Sequence, residues 1–180
     1  MKIYINVDEK HEFMSIKTAV EKLESHAEFL KWKEGHKDAY LSYAFTVLED
    51  DKGIEWQIGF FNSASDKITA FTFKGDDIVI CADEDAFKKE ESKILELDMN
   101  KVKINVDNAI NNAEEFQKKK YPNEVSTKAI VILQNLAKEG LVWNITYITK
   151  SFNTLNLKIN AEDGKVVSDK LSSILDFQKK

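Results

Sequence analysis

The sequence predicts an α+β protein built from two tandem units, each a helix packed on an antiparallel sheet. Residues 140–167 alternate apolar and polar side chains and turn at Asn153 and again at Asp163-Gly164. A period of two between turn residues is typical of consecutive β-strands. Residues 53–80 repeat the same plan, with a glycine, a tryptophan three residues on, and the same order of runs and turns. The chain therefore contains one sheet-like pattern twice.

A second repeated segment extends this duplication towards the N-terminus. Residues 2–8 read KIYINVD and residues 101–107 read KVKINVD, so five of seven positions are identical. Each copy precedes a segment with helical periodicity. Since two copies are fewer than a solenoid needs, the sequence predicts a duplicated domain with units at 1–100 and 101–180.

The first unit is expected to open with a strand at 2–7 and a single amphipathic helix over about 12–33. Ile16, Val20 and Leu23 recur on one helical face, and Gly35 is a suitable stop. The remaining elements expected in this unit are strands at about 40–48, 54–61, 67–74 and 76–81 and a short helix near 84–91.

The second unit repeats this order more compactly. Asp107 is the expected helix cap, and Tyr121-Pro122 is the expected end, because the residue before a proline avoids helical geometry. Further along, the pattern predicts strands at about 128–136, 141–149, 154–160 and 165–167, then a short closing helix or ordered tail containing Leu171, Ile174 and Leu175.

Charge and composition exclude several classes of function. The net charge is −5, and all 26 basic side chains are lysines. Because arginine is the usual fork for phosphates and guanine edges, a nucleic-acid partner is not expected. The run at 118–120 fits the solvated last turn of a helix, although a phosphate-binding role stays an alternative. Cys81 excludes an intramolecular disulfide and is expected to be a small buried hydrophobe.

The location of the protein is expected from its N-terminus and its apolar runs. No run is long enough to span a bilayer, so no transmembrane segment is expected. The first ten residues lack the apolar core of a signal peptide. The sequence as it stands predicts a cytoplasmic protein, and an extracytoplasmic one if the N-terminus has been trimmed.

The second unit resembles a PepSY domain, a small unit in which a helix packs on an antiparallel sheet. The resemblance covers about 101–168 and is carried by the helix from Asp107, the strand KAIVIL, the tryptophan of GLVWNITYI and the end NLKINAEDGKVV. The first unit resembles a diverged copy with Gly75-Asp76 in place of Asp163-Gly164. The resemblance implies a non-catalytic domain that binds or restrains a protein partner, with a protease as the partner class.

Catalytic and metal-binding patterns are weak in this sequence. Ser15 stands where a zinc-protease helix opened by His11-Glu12 needs its second histidine. His26 and His36 are expected at the surface, and the clustered carboxylates are expected in solvated turns and caps. We therefore expect no catalytic residue, no cofactor and no metal site.

Aromatic side chains are the remaining candidates for a binding site. Trp56 and Trp143 are expected to anchor the core under their helices. The candidate binding residues are Phe61, Phe71 and Phe73, because Phe71 and Phe73 alternate against Ile68 and Ala70, and Phe61 is expected to join them. Three arrangements stay open for them: burial against the second unit, return to the core through a bulge near Ala70, or a surface for a partner.

The resemblance to PepSY domains therefore implies a non-enzymatic protein-binding module, with an inhibitor or regulator of a protease as the expected role. Two alternatives stay open. One is a small-molecule-binding protein with a cavity between helix and curved sheet, as in cystatin-like folds. The other is an enzyme whose active site is assembled from residues dispersed along the chain.

Overall fold

A computed structural model describes residues 14–49, 54–85 and 93–175. These residues form one eight-stranded antiparallel sheet with three α-helices against one of its faces. The helices are α1 (Ile16–Glu24), α2 (Ala27–Gly35) and α3 (Val106–Lys120). The strands are β1 (Ala39–Leu48), β2 (Gln57–Asn62), β3 (Lys67–Lys74), β4 (Asp77–Asp85), β5 (Ser126–Leu136), β6 (Gly140–Thr149), β7 (Asn153–Asn160) and β8 (Val166–Ser173).

The two halves of the chain share a single sheet, so the prediction of two tandem helix-plus-sheet units is wrong. The strand order is β4-β3-β2-β1-β5-β6-β7-β8, and β1 pairs with β5 from Tyr43–Gln134 to Leu48–Ala129. The alternation of side chains fixes which residues form strands, but it does not fix which edges pair. Pairing β1 with β5 satisfies two strand edges that separate units would leave open. We call residues 14–49 and 54–85 the first half, and residues 102–175 the second half.

The first helical segment is broken, whereas one continuous helix was expected. Ser15 begins α1 by accepting a hydrogen bond from the Thr18 amide at 3.1 Å. The helix ends at Ser25, and the His26 side chain then accepts from the Glu28 amide to start α2. Because serine and histidine here supply cap hydrogen bonds to the backbone, the chain changes direction between α1 and α2.

The second half has one longer helix, and its predicted end at Tyr121-Pro122 is confirmed. Its cap is Asn105 rather than Asp107, since the Asn105 side chain accepts from the Asn108 amide at 2.9 Å. Asp107 lies in the first turn, where a carboxylate still interacts favourably with the helix dipole.

Two further expectations concern edges of the sheet. Of the two forms expected for the end of the chain, the ordered tail is the one observed, because residues through Ser173 continue as β8 along β7 instead of forming a helix. Strand β4 runs through Asp85, where a helix was expected to begin. The rest of that helix and the strand at 2–7 lie outside the described residues.

The core lies between the sheet and its helices, on what we call the helix face. Trp56 and Trp143 meet there with ring centroids 6.2 Å apart, over the join between β1 and β5. Trp56 Nε1 donates to the Met14 carbonyl at 2.9 Å, and Trp143 Nε1 donates to the Ile104 carbonyl at 2.8 Å. Each acceptor lies two residues before a helix, so both indoles fix a helix start and act as the expected core anchors.

The segment 93–98 ties the far face of the sheet to its helix face. The Tyr40 hydroxyl donates to the Ile94 carbonyl at 2.9 Å, and the Leu97 amide donates to the Leu41 carbonyl at 2.8 Å. From the other side, the Asn135 side-chain amide donates to the Glu96 carbonyl. This connecting segment is therefore held by both β1 and β5.

In the described part of the chain, no helix is long and apolar enough to cross a membrane.

Candidate ligand-binding groove

A groove of about 480 Å³ lies on the far face of the sheet, opposite the helices. Cross-strand pairing places Phe45, Gln57 and Ile132 in one row of this face, since Phe45 pairs with both others. The connecting segment forms a wall with Lys93, Ile94 and Leu95. The other lining residues are Ser42, Tyr43, Ile68, Gln134, Asn135 and Leu136.

Gly59 determines the shape of the groove floor. Tyr43 is its cross-strand partner, and a β-carbon built on Gly59 would come within 2.0 Å of Tyr43 Cε1. The ring can therefore lie across the β2 backbone only because residue 59 has no side chain. The Gln57 side-chain amide donates to the Tyr43 hydroxyl at 3.1 Å, which holds the ring in this position.

A bulge in β1 adds to the concavity. The register with β2 shifts between Leu41 and Tyr43, which leaves Ser42 as the extra residue. The Ser42 hydroxyl donates to the Gly59 carbonyl at 3.0 Å, and its side chain is buried. A bulge bends its strand and increases the local twist, so β1 curves at the groove.

The chemistry of the lining is mainly apolar with neutral hydrogen-bonding groups. Phe45, Ile68, Ile132 and Leu136 supply apolar surface, and all four are only partly exposed. The polar lining side chains are two hydroxyls, three amides and the Lys93 ammonium. A site of this volume with few polar groups is suited to binding a small molecule.

The candidate residues Phe61, Phe71 and Phe73 do not form one cluster. Phe71 pairs with Ile58 on the helix face and packs on Phe29 of α2 with ring centroids 5.2 Å apart. Phe73 shares that face under the Lys22 ammonium, which lies 5.3 Å from its ring centroid.

Phe61 lies on the far face instead, so the expectation that it joins Phe71 and Phe73 is wrong. It packs edge-on against Tyr40 at 5.6 Å and is buried. The pairing of β2 with β3 is continuous, and the register shift near Ala70 lies between β3 and β4 with the extra residue on β4. Phe71 reaches the core without a bulge in its own strand, because the helices cover its face and not the face of Ala70.

His26, His36 and Cys81 lie outside the groove lining. His26 caps α2, and His36 stacks on Trp32 with ring centroids 4.5 Å apart. Cys81 is exposed on β4, so the expected burial is wrong. His11 lies outside the described residues. Among the residues that the structure describes, no group of three or more histidines, cysteines and carboxylates could hold a metal ion.

Two tyrosines outside the groove have raised pKa values. Burial raises the pKa of Tyr147, and the nearby Glu114 charge adds to the effect. A hydrogen bond to Asp169 raises the pKa of Tyr121, whereas hydrogen bonds from Lys120 and Tyr121 lower the pKa of Asp169. The hydrogen bonds of Lys120 and Tyr121 to Asp169 tie the end of α3 to β8 and have a structural role.

The groove could not be found from sequence, because its residues come from distant strands and the connecting segment. One local signal was available at Gly59, a glycine inside a strand, which often marks a close approach of another group. The groove lies on the face opposite the helices, whereas large aromatic side chains fill the space under α2.

Comparisons with known proteins define the fold and leave the family open. No protein-family model matches the chain, and no curated protein matches it. The fold is similar to that in the crystal structure of a putative lipoprotein from Clostridium difficile 630, with a TM-score of 0.57 and 14% identity. The similarity covers 91% of this chain and 97% of the other. The PepSY resemblance stays a prediction.

Proposed function

We propose that this chain is a non-catalytic binding protein that takes a small, mainly apolar molecule into the groove on its far face. The observation that supports this most is the floor around Gly59, where the Tyr43 ring lies across a backbone position without a side chain and β1 curves at its bulge. A ligand there would rest on Phe45 and Ile132, with the connecting segment along one side.

The lining explains which molecules would bind. Burying apolar surface contributes about 25 cal/mol per Å² to the free energy of binding. A flat aromatic or aliphatic ligand would therefore gain most affinity from contact with the groove floor. The amides of Gln57, Gln134 and Asn135 line the groove and contain both donors and acceptors; Gln57 and Asn135 also donate to Tyr43 and Glu96. They would fix the orientation of one polar group on the ligand.

A fluorescence titration with the neutral apolar dye N-phenyl-1-naphthylamine tests this function. The test variant is Ile132→Gln in the groove. The matched control is Ile130→Gln, two residues along the same strand on the same face, outside the lining. Losing the apolar contact of one isoleucine should weaken dye binding about tenfold.

The expected result is saturable binding that the Ile132 variant loses and the Ile130 variant keeps within about twofold. Equal loss in both variants, or binding unaffected by either, would contradict a groove-specific site. Thermal melts of both variants check that the fold is retained.

Binding of a protein is a second candidate function, with a protease as the partner class implied by the PepSY resemblance. It is favoured by β4, the outermost strand on one side of the described sheet, on which Val79, Ile80 and Cys81 are exposed. An exposed strand edge can pair with a strand from another chain. Val79→Lys with Ile80→Lys should then abolish capture of a protease partner while dye binding in the groove is unchanged.

An extracytoplasmic location is also proposed. It is supported by the similarity to a structure described as a putative lipoprotein. Cell fractionation of the native organism tests it, with recovery in the membrane or external fraction as the expected result. Recovery in the cytosol alone would contradict it.

A further inference from the structure

Large exposed apolar side chains gather at one end of the second half. Phe152 is 69% exposed and Leu175 is 59% exposed, and Leu171 and Val125 are exposed as well. Backbone hydrogen bonds bring these residues together: Ile174 N to Phe152 O, and Lys150 N to Val125 O, both at 2.9 Å. We call Val125, Phe152, Leu171 and Leu175 the end patch.

Phe152 has an unusual backbone conformation for its side chain. It lies in the turn between β6 and β7 with φ of 56°, in the left-handed region that bulky residues rarely adopt. Its ring points largely into solvent, so packing of the ring does not account for the strain. Strained residues of this kind concentrate at functional positions, where the strain has a use.

Lysines outnumber carboxylates around the end patch, although the chain has a net charge of −5. Residues 114–126, 147–154 and 169–175 contain five lysines and four carboxylates. All four carboxylates are engaged within the fold, and Glu114 and Glu115 pair with Lys118 and Lys119. Glu124 accepts hydrogen bonds from Thr149 and Asn153, and Asp169 accepts from Lys120 and Tyr121.

Lys118 and Lys119 remain largely exposed even though each lies near a glutamate one helical turn back. Their side chains are 61% and 80% exposed. Exposed pairs of this kind are worth little, so both ammonium groups stay available to a surface of opposite charge.

We propose that this end of the molecule docks on an anionic lipid bilayer. Phe152 and Leu175 would enter the boundary between headgroups and acyl chains, and Lys118, Lys119 and Lys150 would lie against anionic headgroups. Membrane-surface binding of this kind combines buried apolar area with attraction between basic side chains and anionic lipids. A lipid surface is favoured over a two-fold dimer through the end patch, because such a dimer would bring the lysines of both copies together.

Vesicle flotation of the full chain tests the proposal. Phosphatidylcholine vesicles are compared with vesicles containing about 30% phosphatidylglycerol, where each basic residue near the surface adds attraction. The expected result is at least about tenfold stronger binding to the anionic vesicles, weakened at high salt by screening. Failure to float with anionic vesicles would overturn the proposal.

The test variant is Phe152→Asn, because asparagine tolerates a positive φ. It should melt about 2–4 °C higher and yet lose at least about tenfold in vesicle binding, so lost folding cannot explain the loss. The matched control is Leu30→Asn, which removes a 52% exposed leucine from α2 in the other half and should leave vesicle binding unchanged.

A charge variant, Lys118→Gln with Lys119→Gln, should weaken binding to anionic vesicles only, and the control pair Lys31→Gln with Lys37→Gln should not. Unchanged flotation of Phe152→Asn would overturn the proposal. A sedimentation coefficient that drops from dimer to monomer in Phe152→Asn without vesicles would assign the patch to a second copy instead.

Discussion

The two halves of the sheet differ most on the far face. Beyond β5 in the second half this face is polar: the Asn156 side-chain amide donates to Asn144 and Thr146, and Lys158 pairs with Glu139. In the first half the corresponding face carries aromatic and aliphatic side chains, including Tyr40, Phe61, Tyr43 and Ile68. A hydrated polar face needs no cover, whereas an apolar one gains from contact with another group. The difference places the candidate ligand site in the first half and at its join with the second.

The helix faces differ as well. The first half packs short helices on an aromatic core in which Phe29 contacts Trp32, Phe60 and Phe71. The second half packs α3 on aliphatic side chains of β7, with Ala109 and Ala113 of the helix fully buried. Small residues let α3 approach the sheet closely, whereas in the first half the rings of Phe60 and Phe71 fill the space beneath Phe29 of α2. Similar sheet patterns therefore carry different cores.

The largest expected effect comes from the tryptophans that join the halves. Trp56→Ala and Trp143→Ala should each lower the free energy of unfolding by about 3–5 kcal/mol, since both rings are buried and each indole loses a hydrogen bond. Guanidinium unfolding measures these values. The double variant should show a coupling of about 0.5–1.5 kcal/mol, because the rings touch. Strict additivity would show that the halves do not share a core at this point.

Much of the local structure could be predicted from period-two alternation. Strand β3 was placed at its observed bounds, and most other strands within a few residues. In β7, the alternation puts Leu155, Leu157 and Ile159 on one face, and all three are fully buried. These predictions succeed because one face of each strand must exclude water, and that requirement is written in neighbouring residues.

The arrangement of the halves could not be predicted, because it depends on contacts between distant residues. Nothing local in β1 indicates that its free edge pairs with β5 rather than remaining at the end of a separate sheet. The same holds for the helix face: the alternation in β3 separates Phe71 from Ala70 but does not tell which of them the helices cover. Locating the groove requires knowing both that β1 pairs with β5 and which face the helices cover. The sequence therefore did not reveal it.

A smaller effect is expected from glycines in the first half. Gly59→Ala forces Tyr43 away from β2 and should lower the free energy of unfolding by about 1–3 kcal/mol. The same change should weaken binding of the naphthylamine dye, since the groove floor moves. Gly35→Ala meets nothing within 4 Å at the end of α2 and should change stability by less than about 1 kcal/mol. Similar losses in both variants would show that Tyr43 does not determine the floor.

The smallest effect concerns the ion pairs that link helices to the sheet in each half. Asp169 accepts hydrogen bonds from Lys120, at 2.7 Å, and from Tyr121. The two hydrogen bonds hold the pKa of Asp169 below its usual range. A lowered pKa in the folded state stabilises the fold above about pH 4, and that stability is lost as the pH falls through the lowered pKa. Asp169→Asn should therefore cost about 0.5–1 kcal/mol at pH 7 and nothing near pH 2.

The control for this variant lies in the first half. Asp76 pairs with Lys22 at 3.1 Å, and its carboxylate is fully exposed. Because exposed ion pairs contribute little, Asp76→Asn should leave the melting temperature unchanged at both pH values. A cost for Asp169→Asn that persists at pH 2 would show that the charge of Asp169 is not what stabilises the contact.

The central claim is that the far face of the first half binds a small apolar molecule, and nuclear magnetic resonance tests it most directly. Titration of the ¹⁵N-labelled protein with N-phenyl-1-naphthylamine should shift the side-chain amide signals of Gln57, Gln134 and Asn135. The signal of Asn156, on the same face but further away in β7, should not move. A shift confined to Asn156, or no saturable shift in the groove amides, would contradict the account.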